Sequence, residues 1–194
     1  MDASASIVPP DASTAELREL SSNLGLVGFG VSRARFYNNV AHILAERDAA
    51  GLRDSMAFTY RNPARSCDPA RELPGAHAVV SAALDYAQAG VGALAHSSVM
   101  ARYARADYYA LLRARPAALA KPLQERGYQA RVVVDANSLV DKEPGVRSGA
   151  GWYLKNSLMA MPGHGSYLVL GEIITDAPLT PSAPRRRLIG CGTC

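Results

Sequence analysis

The sequence has 194 residues, 48% of them apolar and 20% charged, which is enough apolar chain for one domain with a buried core and too much for a wholly disordered protein. A formal net charge of +4 and a pI near 9.1 would ease approach to an anionic polymer without demanding one. Residues 1–16 hold no apolar run of signal-peptide or membrane-span type, and three cysteines with Cys67 standing alone make no disulfide framework, so the expectation is a soluble, cytoplasmic protein without a membrane partner.

Along the chain, Asp11-Ala12-Ser13-Thr14 reads as a helix cap, and apolar spacing over residues 15–24 predicts a helix that Gly25 stops. A short strand is expected over residues 26–30. Val40, Ile43 and Leu44 recur at helical spacing within residues 36–50, ahead of Gly51. Residues 59–74, rich in Arg, Pro and Asp, read as loop. The nearly continuous apolar run 75–84 reads as a buried strand, and a helix is predicted over 108–124. Residues 130–135 are β-branched and close on a carboxylate, so this strand delivers a polar group at its C-terminal edge. An amphipathic helix interrupted by Pro144 is predicted between 141 and 151, a strand over 167–175, and a proline-rich exit over 177–184. Strands alternating with helices predict an α/β (α+β) domain, a mixed sheet with flanking helices.

Four groups carry chemistry. Cys191-Gly192-Thr193-Cys194 sets two thiols three positions apart, which suits a ligand pair for an iron-sulfur centre, half of a zinc site or a redox pair, or arises by accident. Asp135, at the end of an apolar strand, is either a desolvated general acid or the cap of a turn, while Asp141 and Lys142 read as a solvated helix face. Gly149-Ala150-Gly151-Trp152-Tyr153-Leu154-Lys155-Asn156 combines close backbone approach with two donors, or is a glycine-punctuated turn. Gly163-His164-Gly165 reads as a flexible hairpin with an exposed histidine.

In order along the chain, several stretches together resemble the epoxyqueuosine reductases. They are Asp68-Pro69 with Leu73-Pro74-Gly75-Ala76; Ala101-Arg102-Tyr103-Ala104-Arg105 with Asp107-Tyr108; Val134-Asp135; and Gly149-x-Gly151-Trp152-Tyr153-x-Lys155-Asn156. Gly165-Ser166-Tyr167, then Leu170-Gly171-Glu172-Ile173-Ile174-Thr175-Asp176-Ala177-Pro178-Leu179 and the closing Cys-Gly-Thr-Cys complete the set. The resemblance implies a cobalamin-binding domain like that of epoxyqueuosine reductases and reductive dehalogenases. It also implies a ferredoxin-like pair of 4Fe-4S clusters, an electron donor, and reduction of epoxyqueuosine to queuosine at the wobble position of a tRNA. It casts Asp135 as proton donor, and Lys155, Asn156, Leu158, Met159 and, more loosely, Arg61 and Arg65 as cobalamin contacts. Cys191 and Cys194 become the first two ligands of a cluster.

The domain reading that follows has a flexible terminus at 1–16, the cobalamin-binding catalytic domain at 17–184, and at 185–194 the start of a 4Fe-4S domain cut short. Three departures stand out: Leu154 where the family has Gly, Tyr109 with one residue fewer before it where the family has His, and Ala136-Asn137-Ser138 where it has Ser-Ala-Pro. Two other functions fit the residues, a corrinoid iron-sulfur reductase of a different substrate and a ferredoxin-type electron carrier.

Overall fold

The computed structural model describes residues 10–55, 57–87 and 101–183. Its centre is β2 (Ala78–Asp85), buried along nearly its whole length because strands flank it on both sides and helices cover both faces. β1 (Val27–Arg33) pairs with one edge of β2, and β6 (Leu168–Thr175) with the other; β3 (Ala130–Val134) pairs with the far side of β6, giving the order β1-β2-β6-β3. The fold class is α/β as expected, and every pairing in this sheet is antiparallel rather than mixed.

Side-chain alternation divides the core. Val80, Ala82 and Leu84 face α1 (Pro10–Asn23) and α5 (Tyr108–Glu125), which contribute Leu17, Leu112, Leu119 and Leu123. Val79, Val133 and Ile174 face the opposite layer, where Tyr37 and Leu44 of α2 (Asn38–Ala49) and its entry are buried. α5 starts where the Asp107 carboxylate accepts a hydrogen bond from the Ala110 N–H at 2.8 Å. It lies close on the sheet because Gly171 has no side chain: a Cβ there would sit 3.3 Å from Leu112 and Pro116.

The helix expected from residue 15 begins at Pro10, inside the stretch expected to be flexible. Residues 59–74 are not plain loop. They wind into a 3-10 turn (Phe58–Arg61), α3 (Pro63–Ser66) and α4 (Pro69–Glu72), with Asn62 and Asp68 as caps and proline in the first turn. The Asn-Pro and Asp-Pro pairs that read as loop punctuation are helix starts. α6 (Lys142–Arg147) is shorter than expected, and Pro144 does not break it, since a proline in the first turn lacks only an N–H that has no helical partner. A small hairpin, β4 (Trp152–Tyr153) with β5 (Met159–Ala160), forms where a glycine turn was read.

Candidate active site

The site forms where β3 ends. Val134 is the last residue paired with β6, opposite Gly171, and the chain then turns through Asp135 at φ +45°. Aspartate tolerates this left-handed conformation better than the β-branched residues before it. The turn places Asp135 on the shared wall of two cavities, one of about 110 Å³ and one of about 670 Å³, both of which also have Asp141 and Lys142 in their linings. The narrow cavity is lined by Tyr109, Leu158, Met159 and Leu168. The wide one lies between α2, the 3-10 turn at Phe58 and the β4–β5 turn at Leu154 and Ser157.

The Tyr109 hydroxyl, from the first turn of α5, donates a hydrogen bond to the Asp135 carboxylate; burial and then the Asp135 charge raise the Tyr109 pKa above the usual phenol range. Asp135 itself is exposed, where its strand-end position implied desolvation. The carboxyl that burial lifts above the ordinary range is Asp141, with Lys142 and two backbone hydrogen bonds pulling it back and Asp135 adding to the rise. Behind the wide cavity, the Tyr153 hydroxyl donates to Glu143 Oε2 at 3.1 Å, Glu143 Oε1 lies 2.7 Å from Arg147 Nε, and the Arg147 guanidinium stacks 4.6 Å from the Tyr37 ring. Burial drives the Tyr153 phenol well above its normal pKa.

Of the residues expected at the site, Asp135, Leu158 and Met159 share the narrow cavity. Lys155 and Asn156 line neither cavity; the Asn156 side chain accepts the Leu158 N–H at 3.1 Å and holds the β4–β5 turn. Arg61 and Arg65 line a separate recess of about 560 Å³. Cys191 and Cys194 lie outside the described residues. Leu154, expected to restrict the backbone where the resemblance implies glycine, lines the wide cavity and has no left-handed backbone, so a side chain there is unstrained.

Three participants escaped the sequence reading. Asp141 and Lys142 belong to the cavity walls and are half-buried rather than a solvated face, because β5 and β6 fold back beside them. Tyr109 carried no signal in the sequence, and only the fold brings it to Asp135. His164 is not a free loop residue either, since its Nδ1 lies 2.7 Å from Asp85 Oδ2.

A family model described as epoxyqueuosine reductase QueG, DUF1730, matches residues 66–136, from the end of α3 through β2, α5 and β3 to the turn at Asp135. A curated relative in Pseudomonas aeruginosa, named epoxyqueuosine reductase, is 31% identical, the alignment covering 96% of this chain and 54% of that protein. These relatives are epoxyqueuosine reductases. A crystal structure of an epoxyqueuosine reductase with an epoxyqueuosine-modified tRNA-Tyr stem loop is 25% identical with a TM-score of 0.75, covering 93% of this chain and 49% of that one. A reductive dehalogenase whose structure suggests a mechanism for B12-dependent dehalogenation shares the fold, at 16% identity and a TM-score of 0.59 over 93% of this chain and 22% of that one. The chain spans about half the length of the curated epoxyqueuosine reductases it matches. Among the described residues no helix is long and apolar enough to cross a membrane, and no three His, Cys, Asp or Glu side chains gather as a metal site.

Proposed function

We propose that the protein is a cytoplasmic oxidoreductase that reduces epoxyqueuosine to queuosine in tRNA, and that this chain supplies its cobalamin-binding, proton-donating part. The observation that carries this reading is Asp135, held by Tyr109 at the junction of the two cavities on a chain that resembles epoxyqueuosine reductases from end to end. Removing an epoxide oxygen as water consumes two electrons and two protons and leaves an alkene, so the site needs a proton source beside an electron source.

The wide cavity fits a broad amphipathic cofactor. Its walls carry Val40, Ile43, Leu139 and Leu154, with Ile43 46% exposed as an uncovered apolar surface, and its rim carries the amides Asn39 and Asn137. A corrin is a flat apolar ring with amide arms, and these residues would hold it. Cobalamin supplies low-potential electrons at its cobalt when bound.

The chain's own residues do the rest. Asp135 donates the proton that the opening epoxide oxygen requires. Tyr109 fixes the orientation of that carboxyl through its hydrogen bond. Asp141, protonated more readily than an ordinary aspartate, stands in the same wall. Leu158, Met159 and Leu168 give the narrow cavity its apolar wall.

Cys191 and Cys194 would contribute two thiolates to a 4Fe-4S cluster fed by an electron donor. The remaining ligands come from outside the described residues, because the other cysteine, Cys67, is fully buried in the core beside Tyr37 and Val79. On this reading the cobalamin-binding part runs from the start of α1 to residue 184, and 185–194 lead into the cluster-bearing part.

The test is anaerobic turnover of epoxyqueuosine-containing tRNA by the full-length protein. Wild type should release queuosine-containing tRNA, and Asp135→Asn should keep cobalamin bound while turning over roughly 100-fold more slowly or worse. A wild-type protein that holds both cofactors yet leaves the tRNA unchanged refutes the assignment.

A further inference from the structure

The sheet carries a buried polar patch that lines neither cavity. Ser81 in the middle of β2 pairs with Glu172 of β6 on one side and with Gly30 of β1 on the other, and Ser32 follows two residues after Gly30 on the same face. α6 lies directly over this patch, since a Cβ at Gly30 would overlap the Ser148 side chain. Tyr37 belongs to the same layer, its ring 4.6 Å from the Arg147 guanidinium of α6.

Ser32, Ser81, Tyr37 and Glu172 are all buried, Glu172 at 1% exposure. Among the described residues the three hydroxyls and both carboxyl oxygens of Glu172 have no hydrogen-bond partner. Buried polar atoms in native proteins are satisfied, and ordered water that bonds several of them at once is the usual means where protein partners are missing. The groups facing the patch do not favour an ionised Glu172. Arg147 is engaged by Glu143 at 2.7 Å, Asp141 is a second acid, and Cys67 at the end of α3 is a thiol that burial raises. Lys142 stands on the cavity side, where it acts on Asp141. Burial first and Asp141 second lift Glu172 well above the ordinary carboxyl range, so the folded protein carries a proton there.

The patch leads to the site through Asp141. This carboxyl is within electrostatic reach of Glu172 on one side and of Asp135 on the other, and it lines both cavities with Asp135. Loss of an epoxide oxygen as water breaks two C–O bonds and forms a C=C bond and two O–H bonds, with two electrons from the donor and two protons. Asp135 carries one proton, and a ligand filling the wide cavity covers its exposed side. We propose that Glu172 stores the second proton and passes it through bound water and Asp141 to Asp135 once Asp135 has protonated the opening oxygen. An O–H bond breaks at Glu172, the proton reaches the Asp135 carboxylate by way of Asp141, and Asp135 gives it to the departing hydroxide. Solvent reprotonates Glu172 after the product leaves. Glu172 is a positioning residue in this scheme, which rests on the epoxide reading above and assigns the origin of the second proton.

The experiment uses full-length, cofactor-loaded protein and two readouts. Infrared difference spectra in light against heavy water, at neutral pH and without tRNA, should show the C=O stretch of a protonated carboxyl in wild type. Isotopic labelling of glutamate should shift that band, and Glu172→Gln, which keeps the shape of the side chain, should lack it. Anaerobic turnover of epoxyqueuosine-containing tRNA by wild type should hold level over the pH range in which Glu172 stays protonated. In Glu172→Gln it should be roughly tenfold or more slower at neutral pH and fall by about tenfold for each further pH unit, because the second proton then comes from bulk solvent. Cobalamin occupancy, read from the visible spectrum, and affinity for the tRNA should match wild type.

A wild type without a glutamic acid band overturns the store, whether or not the variant folds. A Glu172→Gln protein with the wild-type rate overturns the relay and spares the tRNA reading. A slower variant whose pH profile keeps the wild-type shape also overturns it, since a structural role moves the rate and not the profile. A wild type that holds both cofactors and leaves the tRNA unchanged overturns the relay and the tRNA reading together.

Discussion

Glu172 lies in the middle of β6, across from Ser81 on β2 and Val133 on β3, and is 1% exposed. Among the described residues neither of its carboxyl oxygens has a hydrogen-bond partner, and the Ser81 and Tyr37 hydroxyls near it have none either. Burial, reinforced by Asp141, raises its pKa well above 4.5, so the folded protein keeps a proton there that the unfolded chain releases. The folded state therefore binds more protons, and the contribution to stability is fully present below pH 4.5 and is lost as pH rises toward the folded pKa. The loss is about 1.4 kcal/mol for each pH unit in that window. Glu172→Gln puts a neutral group of the same shape in place and removes this dependence. Urea unfolding of wild type and variant at several pH values above 4.5 should show the variant gaining on wild type by about 1.4 kcal/mol per pH unit, until wild-type Glu172 itself ionises. Asp141 also titrates, but it is common to both proteins and cancels in the difference. A difference that stays constant with pH would mean that the carboxyl is ionised in the fold, and would refute the reasoning.

Three further outcomes follow from the same geometry. Tyr109→Phe removes the hydrogen bond to Asp135 and should lower turnover by roughly 10- to 100-fold, the range for a bond to a charged group, without changing cobalamin affinity; an unaltered rate would leave Tyr109 as packing only. Glu72→Ala strips the shared partner from Arg65 and Arg131, and since both arginines are more than half exposed and can return to water, the cost should be about 1–3 kcal/mol in chemical denaturation. Gly28 has φ +64°, and a side chain there would overlap the Met161 sulfur, so Gly28→Ala should cost more than about 1 kcal/mol and lower the melting temperature.

What the sequence made legible is the frame. The runs that became β2, α5, β3 and β6 carry enough periodic apolar residues to be read without tertiary information, and Asp135 followed as the residue at a strand end. The surroundings of Asp135 did not follow. Asp141 and Lys142 look like a solvated helix face in sequence, and they are half-buried only because the β4–β5 hairpin and β6 close over them. The strand at 167–175 was legible, but not that Glu172 within it is buried, which follows only from the covering of both faces of the sheet. The helical turns at 58–72 were hidden by Asn-Pro and Asp-Pro pairs that local rules assign equally to loops and to helix starts.

The register of β3 against β6 ties these pieces together. Val133 faces Glu172 and Val134 faces Gly171, so the buried acid and the missing side chain are neighbours on opposite faces of the sheet. The face bearing Gly171 receives α5, whose Leu112 and Pro116 lie against it. That close seating carries the first turn of α5, and Tyr109 with it, to the turn where β3 ends. A slip of one residue would send Glu172 toward the apolar α5 layer and turn Gly171 away from the helix, raising α5 off the sheet and withdrawing Tyr109 from Asp135. The same pairing that buries the acid thus fixes the distance of the Asp135 carboxyl from its phenol partner. Selection on the site would act through the small residue on β6 as much as through Asp135 itself.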